Sequence, residues 1–181
     1  GTQLRIGDSL ASGEDALNWP LTTGAFIETS AGGRSEVRIG SMALHIDAGT
    51  ALEFADLDDA RIRLRLHRGS IVIVLRNPEH AAETTLETPE GSLRFETPGS
   101  YRADVAGGTT AFSAYRGRAL IETVGLTLQA GERIVLLGEG ENALGQSAAD
   151  GAVVDSAIVD GAVVDGMIAV RAGVLEDYHT A

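Results

Sequence analysis

One local plan recurs four times along this chain. Alternating apolar and polar residues run up to a glycine-centred turn and resume beyond it. The four examples are Leu66-His67-Arg68-Gly69-Ser70-Ile71, Thr97-Pro98-Gly99-Ser100-Tyr101-Arg102-Ala103-Asp104-Val105, Tyr115-Arg116-Gly117-Arg118-Ala119-Leu120-Ile121 and Leu128-Gln129-Ala130-Gly131-Glu132-Arg133-Ile134. A period of two gives a strand one buried and one exposed face, and glycine supplies the positive φ that a tight hairpin needs. Alternation is clean in 61–66, whereas 71–75 is apolar on both faces and reads as a central strand. Further strands are expected over 25–28, 34–39, 42–46, 51–54, 84–88, 91–96, 101–105, 110–115, 119–124, 125–128 and 133–137. The short gaps between them favour antiparallel hairpins over parallel crossovers. No convincing helix pattern is present, and residues 1–23 are less regular. The expectation is an all-β fold, an antiparallel β-sandwich or β-roll of repeated hairpins.

Composition sets the material of the core and narrows the partners. Hydrophobic residues make up 44% of the 181 residues but aromatics only 4%, so Val, Ile, Leu and Ala must fill the interior. The net charge of −12 argues against nucleic acid or an anionic membrane as the main partner. All 14 basic residues are arginine, and the stems of Arg61, Arg63 and Arg65 can cover sheet surface as well as carry charge. The chain has no cysteine, which rules out disulfides and thiolate metal sites and fits an oxidising compartment. No apolar run approaches the roughly 20 residues of a membrane span. The chain begins at Gly1 rather than Met, as a processed export product would, and as a trimmed fragment would.

The plan stops at Leu137. Residues 1–137 read as one β-domain, 138–150 as an acidic, glycine-rich linker and 151–181 as an apolar tail of period five. The units are Ala152-Val153-Val154-Asp155-Ser156, Ala157-Ile158-Val159-Asp160-Gly161, Ala162-Val163-Val164-Asp165-Gly166 and a degenerate Met167-Ile168-Ala169-Val170-Arg171. From Gly138 onward there are eight acidic residues and one arginine, so this quarter carries −7 of the −12. Small and larger apolar residues two apart imitate pentapeptide-repeat β-helices. One turn of such a helix takes four units, so this tail cannot stand alone as a solenoid. Three readings are open: strands that close the chain's own domain, a strand segment donated to a neighbouring copy, or a Ca²⁺ site built from Asp155, Asp160 and Asp165. The candidate assembly residues are Val153, Val154, Ile158, Val159, Val163, Val164, Ile168 and Val170.

No constellation of catalytic residues stands out. His45 and His67 lie in alternating strands, His80 in the 77–82 turn and His179 two residues from the end, and no H-x-x-x-H pair occurs. There is no G-x-S-x-G elbow, and Gly107-Gly108 and Gly138-Glu139-Gly140 are too short and too acidic for phosphate loops. Asp56, Asp58 and Asp59 read as a solvated turn. Trp19, beside Pro20, reads as a core plug at a sheet edge, with ligand stacking the minor alternative. No catalytic, cofactor or metal residue is assigned, and the chain reads as non-enzymatic.

The order and spacing of the motifs resemble the FecR family, named for the iron-dicitrate signalling regulator, and especially its FecR-like periplasmic or secreted β-domains. The residues that carry the resemblance begin at Asn18-Trp19-Pro20-Leu21-Thr22-Thr23-Gly24, Gly33-Arg34-Ser35-Glu36-Val37-Arg38-Ile39-Gly40 and Leu64-Arg65-Leu66-His67-Arg68-Gly69-Ser70-Ile71. They continue through Glu87-Thr88-Pro89, Pro98–Val105, Arg116-Gly117-Arg118-Ala119 and Leu128-Gln129-Ala130-Gly131-Glu132, so the match runs over 17–137. The resemblance implies a non-catalytic domain that acts by protein–protein contact in the periplasm or at the cell surface. It carries over no catalytic residue. The cytoplasmic sigma-regulating segment and membrane helix of a signalling FecR protein have no counterpart in this sequence.

Together these observations favour a self-assembling structural module, a fibre or surface layer joined through the β-domain and the apolar tail, with the chain itself as partner. The alternative is a periplasmic sensor or interaction domain that contacts another extracytoplasmic protein. Carbohydrate or small-ligand binding ranks last, because Trp19, Phe26, Phe54, Phe95, Tyr101, Phe112 and Tyr115 mostly fall at inward-phased positions.

Overall fold

Sixteen strands and one short helix follow one another in the computed structural model, which describes residues 1–6, 8–12, 20–138, 160–164 and 167–173. The strands are β1 (Thr2–Ile6), β2 (Ser9–Ser12), β3 (Phe26–Thr29), β4 (Ser35–Ile39), β5 (Met42–Ile46), β6 (Ala51–Leu57) and β7 (Ile62–Leu75). After α1 (Pro78–Glu83) come β8 (Thr84–Glu87), β9 (Ser92–Phe95), β10 (Gly99–Ala106), β11 (Thr109–Arg116), β12 (Arg118–Ile121), β13 (Leu126–Gln129) and β14 (Glu132–Leu137). The tail contributes β15 (Asp160–Val164) and β16 (Met167–Gly173). The all-β class is as expected. β1 and β2 add regular structure where the irregular N-terminal stretch was expected, and Trp19 lies outside the described residues.

The strands form two half-sheets that share β7. The first runs β2-β1-β3-β6-β7-β8-β9-β12-β13, the second β4-β5-β7-β10-β11-β14-β16-β15. Residues 62–68 of β7 pair with β6, and 69–75 pair with β10. The buried face changes parity along it: Ile62, Leu64 and Leu66 point inward in the first half, Ile71, Ile73 and Leu75 in the second. Side chains from both halves enter one hydrophobic core, where Phe95 of the first lies 4.8 Å, ring to ring, from Tyr101 of the second.

The glycine turns therefore do not make the repeated hairpins expected. Gly69 lies inside a single 14-residue strand, at the corner where β7 leaves one half-sheet for the other. Its φ is +88°, and a Cβ there would come within 2.5 Å of Thr50 Cα. The Thr50 hydroxyl braces the corner by donating to the Ser70 carbonyl (3.1 Å) and accepting from the Ser70 amide (3.0 Å). The turns at Pro98-Gly99, Gly117 and Gly131 likewise join β9 to β10, β11 to β12 and β13 to β14, each pair divided between the two halves. Gly117, at φ +87°, has room for no side chain because the Tyr101 hydroxyl fills the space. That hydroxyl donates to the Thr97 carbonyl at 2.7 Å and lies 3.0 Å from the Arg118 carbonyl, so one buried phenol ties two crossings together. A true two-residue hairpin occurs instead at Gly107-Gly108, between paired Ala106 and Thr109.

Two more corrections concern the connection after β7. β8 runs parallel to the start of β7, so one pair breaks the antiparallel expectation. The far half of β7 and α1 supply the long crossover that a parallel pair requires. Residues 77–82, expected as a turn, include most of this helix. Asn77 caps it by accepting from the Glu79 amide at 2.7 Å, and Pro78 begins it. His80 Nδ1 lies 2.7 Å from Ser41 Oγ, which seats the helix on the β4–β5 turn.

Candidate interaction surfaces

The outer face of the first half-sheet carries one cross-strand row over seven strands. In register it reads Leu10, Arg5, Phe26, Glu53, Arg65, Glu87 and Ser92. The alternation seen in the sequence places these side chains outward, and register puts them side by side. The Arg5 guanidinium lies 5.3 Å from the centre of the Phe26 ring, and Phe26 lies 5.7 Å from the His67 ring. His67 Nε2 sits 2.8 Å from Glu53, while Arg65 bridges Glu53 (3.4 Å) and Glu87 (3.0 Å). The bond to Glu87, then the charge of Glu53, raises the Arg65 guanidinium further above its ordinary range. At one end Leu10 is 65% exposed, a large apolar side chain in water at the sheet margin. The row thus combines two arginines, one aromatic ring, two carboxylates and an exposed leucine on a single face.

Beside this row lies an open groove of about 560 Å³, lined in part by Arg65, His67, Glu87, Glu90 and Thr123. Glu90 is buried, and its carboxylate accepts from the Thr110 hydroxyl of β11. Thr110 in turn lies 3.0 Å from the Thr88 hydroxyl, which accepts from the Gly91 amide at 3.1 Å. This chain of bonds ties the β8–β9 turn to the second half-sheet, which accounts for the buried carboxylate by structure.

The outer face of the second half-sheet is more closed. Arg102, with a side chain only 15% exposed, pairs with Asp104 at 2.8 Å and Asp47 at 3.3 Å. Ser70 donates to Asp104 at 2.6 Å, and Arg133 reaches it at 3.4 Å. These bonds fasten β7, β10 and β14 to the loop after β5, and the groups that could bind a partner already bind each other.

Main-chain edges are the remaining resource. Among the described residues, β2, β13, β4 and β15 each pair on one side only. On β4, Arg38 bonds Glu36 at 2.6 Å; that bond is the first cause of the lowered Glu36 pKa and leaves charge along the edge. On β13, the Glu132 carboxylate caps the Gln129 amide at 2.8 Å. β15 reads Asp-Gly-Ala-Val-Val and has a charge only at its first residue.

The tail residues singled out for assembly are partly brought together. Val163 pairs with Ile168, and Ile168 and Val170 pair with Leu137 and Val135. Val153, Val154, Ile158 and Val159 lie outside the described residues. So do Asp155 and Asp165, while Asp160 begins β15. Among the described residues no group of three or more His, Asp or Glu is placed to hold a metal ion. His45, His67 and His80 lie apart on β5, β7 and α1, and His179 is outside the described residues.

Comparison with known proteins adds a likeness of fold. No family profile matches the chain, and no curated protein does. Among solved structures, the chain is similar to two crystal structures of a candidate anti-sigma factor from Parabacteroides distasonis, at 16% and 15% sequence identity. Both give a TM-score of 0.50 over 61% of this chain and 53% of the other. The match thus spans about half of that protein's length. At such identity the two share architecture, and nothing of their chemistry follows from it.

Sequence reasoning found the strands but not the row. The partners of Arg65, for example, come from β6 and β8, and no local pattern links residues 53, 65 and 87. Leu10 lies in the stretch 1–23, where no extended alternating run marks a strand.

Proposed function

We propose that this chain is a non-enzymatic protein-interaction module of an extracytoplasmic signalling system, contacting another protein through the outer face of its first half-sheet. The observation that carries the reading is the fold shared with a candidate anti-sigma factor, which agrees with the FecR resemblance of the motifs. The exposed row from Leu10 to Ser92 supplies a contact surface, with Leu10 and the Arg5–Phe26 stack as its anchors. A photo-crosslinking residue placed at Leu10 or at Arg94, the exposed residue two beyond Ser92 on the same face of β9, in cells that carry the natural protein is expected to yield one discrete adduct with a different extracytoplasmic protein. Adducts only between copies of the chain, or none, would overturn this reading.

A second reading, self-assembly into a fibre or layer, is favoured by the unpaired edge of β15. Negative-stain microscopy and light scattering of the purified chain test it. Assemblies lost on deletion of residues 151–181 support it; monodisperse monomers with or without the tail remove it.

A further inference from the structure

We infer that the edge of β14 is an exchangeable strand-docking site, and that the β16 of a second copy is its alternative occupant to the chain's own. This rests on the self-assembly reading and sharpens it to one edge and one segment.

The argument starts from how each strand is held. β14 pairs along its other side with β11 over six residues, and its inward Ile134 and Leu136 are fully buried in the core. The edge therefore persists whether or not β16 is there. β16, by contrast, pairs with β14 over residues 168–173 and otherwise only with β15. Its six register pairs run from Leu137↔Ile168 to Glu132↔Gly173, and no other strand supports the hairpin among the described residues.

Identity of sequence then supplies the second occupant. Every main-chain bond that β16 makes to β14 of its own chain is available, in the same register, to β16 of another copy. Among the described residues, only chain connectivity favours the intramolecular pairing over the same pairing with a second copy. Residues 138–159 separate β14 from β15 and span up to roughly 70 Å when extended, enough to reach a neighbour. A long tether holds its strand at an effective concentration of only about the millimolar range, so copies packed at similar concentration compete with it. Charge sets the direction of the salt effect. With eight acidic residues and one arginine from Gly138 onward, two tails repel, and screening favours exchange.

Val135 and Val170 are register partners, and the chain has no cysteine of its own, so disulfides can report which copy each strand belongs to. The V135C and V170C variants are mixed, incubated up to about 1 mM and oxidised, with V135C/V170C as the intramolecular control. The expected result is a disulfide heterodimer of the two single variants, at least tenfold above either homodimer and rising with salt. A control that closes within one chain while the mixture gives no heterodimer overturns the proposal. A control that fails to close overturns it too, because the pairing itself is then absent. If assemblies persist after the double variant is closed within its own chain, self-assembly stands and exchange at β14 falls.

Discussion

Gly69 and Gly131 have nearly the same backbone angle, φ +88° and +85°, and the sequence around each shows the same pattern of alternation and turn. Around Gly131 nothing lies within 4 Å of where a Cβ would stand, whereas at Gly69 the Thr50 backbone is already there. Gly117 belongs with Gly69, since its missing Cβ makes room for the Tyr101 hydroxyl. One kind of turn needs glycine only for its angle. The other needs it for angle and for volume, because a residue distant in the chain, Thr50 at Gly69 and Tyr101 at Gly117, is pressed against it.

The difference can be broken by substitution. The largest loss is expected at the corners: Gly69→Ala and Gly117→Ala combine a strained positive φ with a backbone or buried-phenol clash, and each should cost about 3 kcal/mol or more in denaturant unfolding. A cost below about 1 kcal/mol at both would mean that the corners yield easily and are not close-packed. Tyr101→Phe removes the hydroxyl that ties the two crossings and should cost about 1–2 kcal/mol, with Thr97 and Arg118 carbonyls losing that bond. Gly131→Ala meets only the angular strain and should cost about 1 kcal/mol. An effect equal to that of Gly69→Ala would erase the distinction between the two kinds of turn.

The smallest expected effect is a dependence on pH at the Tyr101 corner. Burial is the main cause that raises the Tyr101 phenol above its usual value of 10.0. Above about pH 10 the unfolded chain has released this proton while the folded chain still holds it, so stability falls as pH rises until the folded phenol also titrates. The slope from this one group is at most about 1.4 kcal/mol per pH unit. Tyr101→Phe should flatten that part of the stability profile, measured by urea midpoints between pH 9 and 11. An unchanged slope would show that the phenol is not the group responsible.

Much of the strand content was legible, for a local reason. Residues 62–66 alternate so regularly that the first part of β7 follows from the pleat alone, and the doubly apolar 71–75 does lie on a central strand. The helix at Pro78–Glu83 was legible too in principle, from Asn77-Pro78-Glu79, but six residues are too few to show a 3.6-residue period. The hairpins expected at Gly99, Gly117 and Gly131 are crossings instead, because a glycine turn has the same local sequence whether the next strand returns beside the last or crosses to the other half-sheet. The contact row on the first half-sheet was invisible for a related reason: its members are far apart in the chain, and only register aligns them.

By itself, then, the sequence determined most strands between residues 25 and 137, which of their residues face inward and, at Gly69, Gly117 and Gly131 but not at Gly99, where the backbone takes a positive φ. Those are properties of a few neighbouring residues, governed by side-chain alternation and by glycine's missing Cβ. Tertiary structure decided which strand meets which. Thr50 beside Gly69, Tyr101 beneath Gly117 and β16 against β14 depend on groups 19, 16 and 31 to 41 residues apart, and long-range packing and pairing, not local preference, select among such partners.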